Sequence, residues 1–241
     1  MGNNINANRV AVIIPCFNEE NSILELLKEI IRLKDSKKLY NFIVVNDCST
    51  DNTSTVAKSI PNVTVLDLSI NLGVGGAVQT GFILTQKEDA EFAIKLDGDG
   101  QHNPEYIEKL IKPLTENQAD IVIGSRFLEK NSGYKSTMLR RLGIKILQIT
   151  CKILTGLTIT DPTSGFRAYN KKSIDFMAEN YPNFDYPEPE EIILASKNKL
   201  RILEIPIIMR PRIFGESNIT NLGSLYYMIK VILTMIFIKL R

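Results

Sequence analysis

Stretches of near-continuous apolar sequence, each closed by a polar or acidic residue, constrain this chain more than any other feature. "RVAVIIPCF", "NFIVVND", "NVTVLDL", "EFAIKLDGD" and "ADIVIGSRF" follow one another between residues 9 and 127. They lack the alternation of a half-exposed strand, so each reads as a strand buried on both faces. Helical patterns separate them. Ile23, Leu26, Leu27, Ile30 and Ile31 fall on one helical face. "STDNTSTVAKSI" offers caps and a short helix, and "GGAVQTGFILTQ" reads as a helix entered through the glycines of "NLGVGG". Asn103 and Pro104 supply the cap and first residue of another. Strands alternating with helices predict an α/β chain with a mostly parallel central sheet flanked by helices. Further along, Met138 to Leu157 is helical, "DPTSGFRAYN" is a loop leading into a short strand, "EEIILASKNK" is a helix and "LRILEIPIIM" a strand. No repeat, linker or low-complexity tract interrupts the 241 residues. One domain is expected over 1–221, followed by an apolar helix over 222–241.

In open α/β sheets ligands bind at the carboxyl ends of the strands. Four polar clusters fall at such ends: Asn18 and Glu19, Asp47, the pair Asp97 and Asp99, and Arg126. A turn or cap explains any one of them. One shared site explains all four. The chain has a single histidine, His102, which rules out a multi-histidine zinc centre. Any bound metal must be held mainly by oxygen, which points to Mg²⁺ or Mn²⁺. His102 itself has two readings, contact with a ligand or packing against the acidic loop. The formal net charge of +2 implies no nucleic-acid partner. Cys16, Cys48 and Cys151 are far apart and odd in number, which suits a reducing cytoplasm, and "MGNNINANRV" carries no apolar leader.

Other motifs fail on inspection. An EF-hand loop starting at Asp97 would need glycine where His102 stands. "GVGGAV" has Val78 in place of the third glycine of a dinucleotide fingerprint, and no P-loop is present. A haloacid-dehalogenase phosphatase would place Asp-x-Asp-Gly on its first strand, not its fourth.

The ordered set "VIIPCFNEE", "VVNDCSTDNT", "NLGVGGAVQTGF", "KLDGDGQHNPE", "IVIGSRF", "DPTSGFRAYNK" and "EIPIIMRPRIFGESN" resembles family-2 glycosyltransferases with the GT-A fold. Among these it is most similar to the dolichol- and polyprenol-phosphate sugar transferases. The resemblance runs to about Thr220. It implies a metal-dependent, inverting enzyme that moves a sugar from a nucleoside-diphosphate sugar, a UDP- or GDP-sugar, to an acceptor. It implies that Pro15, Asn18 and Glu19 cradle the nucleoside and that Asp47 reads the base edge. Asp97, Asp99 and Gln101 would hold the metal. Gly73, Gly76 and Gly98 would let the backbone approach the nucleotide, although the first two also suit a helix entry. Arg126 and Arg212 are the expected phosphate clamps, because a guanidinium matches phosphate oxygens bidentately. Arg167 either joins them or ties its own loop.

Two points decide the acceptor. The resemblance places a catalytic base at the start of "EPEEIILASK", with Glu190 the best match, Glu188 beside it, and Glu191 a helix-start acid. A hydroxyl acceptor needs such a base and a phosphate does not. The polyprenol branch ends its last motif R-x-x-G-x-S-K, whereas here Asn218 replaces the lysine. Both points favour a hydroxyl on a glycan or lipid-linked acceptor, with a polyprenol-phosphate mannosyl- or glucosyltransferase as the alternative. Readings from other classes are a sugar nucleotidyltransferase, which would need a glycine-rich basic first turn, and a non-catalytic nucleotide-binding module. The tail from Leu222 to Leu240 is interrupted by Lys230. It reads either as a helix in the membrane interface, making the protein peripheral on the inner face, or as a helix docked on the sheet or on a second subunit of a homodimer.

Overall fold

The computed structural model describes residues 8–32, 38–129, 138–182, 186–211 and 221–241. Each expected apolar run forms a strand of one seven-stranded sheet. In chain order the elements are β1 (Asn8–Cys16), α1 (Glu20–Ile30), β2 (Lys38–Asn46), α2 (Thr53–Lys58), β3 (Val63–Asp67), α3 (Gly73–Lys87), β4 (Phe92–Lys95), α4 (Ile107–Thr115) and β5 (Ile121–Ser125). They continue with α5 (Met138–Thr155), β6 (Arg167–Asn170), α6 (Lys171–Asn180), α7 (Glu188–Lys197), β7 (Ile202–Pro206) and α8 (Asn221–Leu240). Asn103 caps a single 3-10 turn ahead of α4, its side chain accepting from the Glu105 amide, as the Asn-Pro pair predicts.

The sheet order is β3-β2-β1-β4-β6-β5-β7. The β1–β2, β2–β3, β1–β4 and β5–β7 pairs are parallel. β6 runs antiparallel to both its neighbours, β4 and β5. It therefore enters the sheet from the edge where β4 and β5 end. The loop before β6 joins the same edge as the four clusters named above.

Successive residues of β1 serve different layers, as the pleat requires. Val12 and Ile14 pack with Ile23 and Leu27 of α1 and Leu110 of α4. Ile13 packs with Phe82 of α3, Leu147 of α5, Ile193 of α7 and Met235 of α8. Burial on both faces is why this strand reads as a continuous apolar run.

One helix lies outside the sequence expectations and one expectation changes. The segment from Lys171 to Asn180 is a helix, capped by Asn170 accepting from the Ser173 amide. The C-terminal helix does form, yet no helix among the described residues is long and apolar enough to cross a membrane. Lys230 and Lys239 interrupt it, and Val231 and Met235 anchor it to the core.

Candidate active site

The first two strand ends are locked to each other. Asn18, left-handed at φ 57°, donates its amide to the Ser49 hydroxyl, and its side-chain oxygen accepts from the Thr50 amide at 2.9 Å. The Glu19 amide donates to Thr53 Oγ1, and the Glu20 carboxylate receives Asn52. Pro15 is buried just upstream. This shelf is held by side-chain bonds between the two loops. Asp47 is buried at the end of β2 and accepts the Leu72 amide at 2.7 Å. Desolvation pushes its carboxyl above the usual range, against the pull of the Leu72 and Gly73 amides. Gly73 opens α3, its amide bonded to the Asn71 side chain, and Gly76 lies one turn inside.

The acidic loop follows β4. A Cβ on Gly98 would lie 2.6 Å from the Cys16 sulfur, so glycine lets this loop settle onto β1. The Asp99 carboxylate accepts the Gln101 amide at 3.0 Å, an Asx turn that folds the loop back on itself. Gln101 and Arg210 bind each other's backbones, the Arg210 amide donating to the Gln101 carbonyl at 2.9 Å. Arg210 in turn forks onto Glu29 at 2.6 Å. His102 is buried, with Nδ1 accepting the Asp97 amide at 3.1 Å and its ring stacked on Phe166. Burial lowers its pKa to about 4, so the ring is neutral and carries its proton on Nε2. Of its two sequence readings, the structure shows packing and a backbone bond.

The loop before β6 closes over this turn. A Cβ at Gly165 would lie 2.9 Å from Asp97 Oδ2. Gly165→Ala is therefore expected to displace the Asp97 carboxylate and cut the activity that this site carries by at least about tenfold, with thermal stability little changed. Turnover and melting temperature measured on the same preparation check this. Arg126 stands directly after β5. It is buried, pairs bidentately with Asp161 at 2.6 Å and donates to Thr163 Oγ1. A guanidinium placed this way holds the loop. Arg212 lies outside the described residues, as does Asn218.

The acids at the start of α7 diverge. Glu188 meets the buried Lys95 ammonium at 2.5 Å, and Lys95 also donates to the Tyr181 hydroxyl. Burial raises the Glu188 pKa, but Lys95 and Arg167 outweigh it and hold the carboxyl below its usual value. Glu190 turns to α8, where Lys230 and Thr234 face it. Burial pushes its pKa to about 7, and its Oε2 has no hydrogen-bond partner. Glu191 faces Arg167 at 3.1 Å and accepts from the Tyr169 hydroxyl. Arg167 also donates to the carbonyls of Ser164, Pro162 and Glu188. Of its two readings, tying the loop is the one observed.

A family model described as glycosyl transferase family 2 matches residues 11–177. This chain belongs to that family. It is 32% identical over 220 residues to the undecaprenyl-phosphate mannosyltransferase of Micrococcus luteus, covering 88% of each chain. It is 30% identical over 215 residues to the UDP-N-acetylglucosamine–dolichyl-phosphate N-acetylglucosaminyltransferase of Methanococcus voltae, covering 82% of this chain and 84% of that one. Its fold is that of glucosyl-3-phosphoglycerate synthase from Mycobacterium tuberculosis, solved with Mn²⁺, UDP-glucose and phosphoglyceric acid. That likeness has a TM-score of 0.71 at 20% identity, over 96% of this chain and 80% of the synthase.

The family match ends before α7, so the acids of this glycosyltransferase that diverge lie beyond it. Sequence reasoning also missed Lys95 and Asp161. The signal for Lys95 was present: a lone cation inside "FAIKLD", in a strand buried on both faces, requires a partner. Its partner lies 93 residues away, where no local pattern could find it.

Proposed function

We propose that this glycosyltransferase moves a sugar from a nucleoside-diphosphate sugar, a UDP-sugar in the first instance, to the phosphate of a polyprenol phosphate, with inversion at the anomeric carbon. One observation carries the choice of acceptor: at the start of α7 Glu188 is paired with Lys95 and Glu191 with Arg167, and Glu190 lies buried against Lys230 and Thr234 of α8. A hydroxyl acceptor needs a positioned base to take its proton. A phosphate is already ionised and attacks without one. The names of the Micrococcus and Methanococcus relatives support the same acceptor class. In this reading the anionic oxygen attacks C1 of the sugar from one face, and the nucleoside diphosphate leaves from the other.

Metal use belongs to the proposal. Among the described residues no group of three or more histidine, cysteine or acidic side chains is placed to hold an ion. Asp97, Asp99 and Gln101 offer oxygens only, and the Asp97 side chain is 40% exposed. That set fits Mg²⁺ or Mn²⁺, which take few protein ligands and complete their shell with substrate phosphate and water. Such an ion, when bound, would neutralise charge on the departing diphosphate. The residues themselves have other tasks. Asn18, Glu19 and Asp47 shape the nucleoside shelf, and the 161–166 loop holds Asp97 in place.

The test is transfer from labelled UDP-sugars and GDP-mannose to dolichyl or undecaprenyl phosphate, beside the corresponding polyprenol alcohol. Product with the phosphate and none with the alcohol is expected. Product with the alcohol alone would sink the reading.

The Glu190 pKa favours a second reading, in which Glu190 is the base for a hydroxyl acceptor, because a value near 7 suits a general base. Glu190→Gln separates the two. It should cut turnover by roughly two to four decades if Glu190 is the base, and leave it nearly unchanged if the acceptor is a phosphate. The same variant has a stability signature. A carboxyl whose pKa is raised on folding binds its proton more tightly in the folded chain, so stability falls as pH rises from about 4.5 through about 7. Glu190→Gln is expected to remove that fall and to be the more stable protein above pH 7. Urea midpoints across the pH range check it.

A further inference from the structure

Met209 and Arg210, just beyond β7, are fastened to the acidic loop. Met209 forms an isolated antiparallel bridge with His102. The Arg210 amide donates to the Gln101 carbonyl at 2.9 Å, and the Gln101 side-chain amide donates to the Arg210 carbonyl at 3.4 Å. Pro211 follows. The residue before a proline is disfavoured in the helical region and kept extended, which turns its amide and carbonyl sideways for this kind of pairing. Met209 also meets the loop before β6 through Arg126, whose Nη1 donates to its sulfur at 3.7 Å.

The Arg210 side chain ties this strip to a third element. Both terminal nitrogens of its fork meet the Glu29 carboxylate of α1 at 2.6 Å, and Nη2 also donates to the Asn103 side chain at 2.8 Å. Asn103 is the cap that ends the acidic loop. One guanidinium therefore joins α1, the end of the acidic loop and the strip after β7. The two side chains are 36% and 35% exposed, so the pair adds little to the stability of the whole fold. Its effect is local. The loop contains Gly98 and Gly100, the latter at φ 73°, and glycine's freedom has to be removed by contacts from outside. Glu29 has a second effect. It neutralises a cation beside the acidic loop, and without it the guanidinium would be drawn to the loop's own carboxylates.

We propose that Arg210, held by Glu29, is a positioning residue for the acidic loop and sets where the loop presents its oxygens. It acts through Gln101. The Gln101 carbonyl accepts from Arg210, and the Gln101 amide donates to the Asp99 carboxylate at 3.0 Å, so fixing this one residue also fixes the Asp99 oxygen. The clamp rests on these contacts alone. Its consequence for an ion rests on the reading of the loop as a metal site, and the two can fail separately.

The clamp is read by amide hydrogen exchange of the full chain without metal, over peptides that carry Gln101 and Arg210. Arg210→Met and Glu29→Gln are each expected to raise exchange there at least about threefold and to leave β1 and β2 as protected as before. Arg210→Lys, which keeps the charge and loses the fork, should fall between. Lys28→Met, which breaks the Lys28–Glu25 pair on the same helix, should change nothing. The consequence is read by Mn²⁺ binding in the presence of UDP, followed through the electron paramagnetic resonance of the free ion. Arg210→Met should weaken it about tenfold, the usual cost of losing a partner that orients a ligand. Glu29→Gln should weaken it further, because the loosened guanidinium competes for the acids. Adding Arg210→Met to Glu29→Gln should then bring affinity back to that of Arg210→Met alone, which a mere loosening of α1 would not do. The proposal is overturned by loop exchange unchanged in both single variants, or by exchange that rises equally through β1 and β2, since the pair would then hold the fold and not the loop. Loop exchange that rises as expected in a protein whose unaltered form takes no Mn²⁺ with UDP supports the clamp and removes the metal reading instead.

Discussion

Asp99→Asn is expected to lower sugar transfer by about three decades while the fold survives. A divalent ion on the acidic loop is worth several kcal/mol of charge stabilisation, and each decade of rate corresponds to about 1.4 kcal/mol. Asp99 also accepts the Gln101 amide through a side-chain oxygen that asparagine retains, so the turn itself should persist. The loss should thus appear in turnover and in Mn²⁺ binding measured with UDP, and not in the melting temperature. Near-normal turnover would remove the acidic loop from the chemistry. A large drop in melting temperature would make the residue structural.

Glu191→Ala carries the largest expected effect on stability. Glu191 and Arg167 are both fully buried and 3.1 Å apart. Deleting one partner of a buried pair leaves the other charged in a medium that cannot solvate it, at about 3–5 kcal/mol. Arg167 keeps three carbonyl acceptors, which places the expected loss near the lower end, about 3 kcal/mol. For a chain of this length that is a fall of roughly 6–12 °C in melting temperature. Arg167→Met combined with Glu191→Leu should recover much of it, since an apolar pair leaves no orphaned charge. A single-variant loss below about 1 kcal/mol would mean that water reaches the pair. The cluster also links stability to the site, because Arg167 binds the carbonyl of Glu188, whose side chain meets Lys95 two residues before Asp97.

Much of this was legible in the sequence because its cause is local. A strand covered on both faces has to be apolar at every position, so "VAVIIP" and "FIVV" declare themselves. The Asn-Pro start of the 3-10 turn and the Asp-x-Asp turn were equally local. The short strand β6 was read, but its antiparallel direction was not legible. Four residues, Arg167 to Asn170, carry no periodicity, and their direction is set by which edge the chain happens to approach. Helix α6 was missed because "KKSIDFMAEN" has a thin apolar face, Ile174, Met177 and Ala178. Its capping signal, Asn170 three residues before Ser173, was there to be read. For the site, strand ends gave the positions but not the partners. Arg126 shows the limit: its place at the end of β5 was read correctly, while the acid that occupies its fork lies 35 residues on. Charge pairing across that distance is a property of the packed sheet.

The position of β6 has a consequence for the chain as it is made. β4 can join β1, β2 and β3 as soon as it leaves the ribosome, since β1 is already there to pair with it. β5 cannot join anything at that moment. Among the described residues it pairs only with β6 and β7, which are synthesised roughly 45 and 80 residues later. At about 5–20 residues per second, β5 waits for several seconds as an unpaired apolar segment with two open edges. Nascent chains arrested before residue 167 should accordingly hold β1 to β4 protected from protease and leave β5 open to cleavage, and a chaperone that acts on this protein should meet it there first.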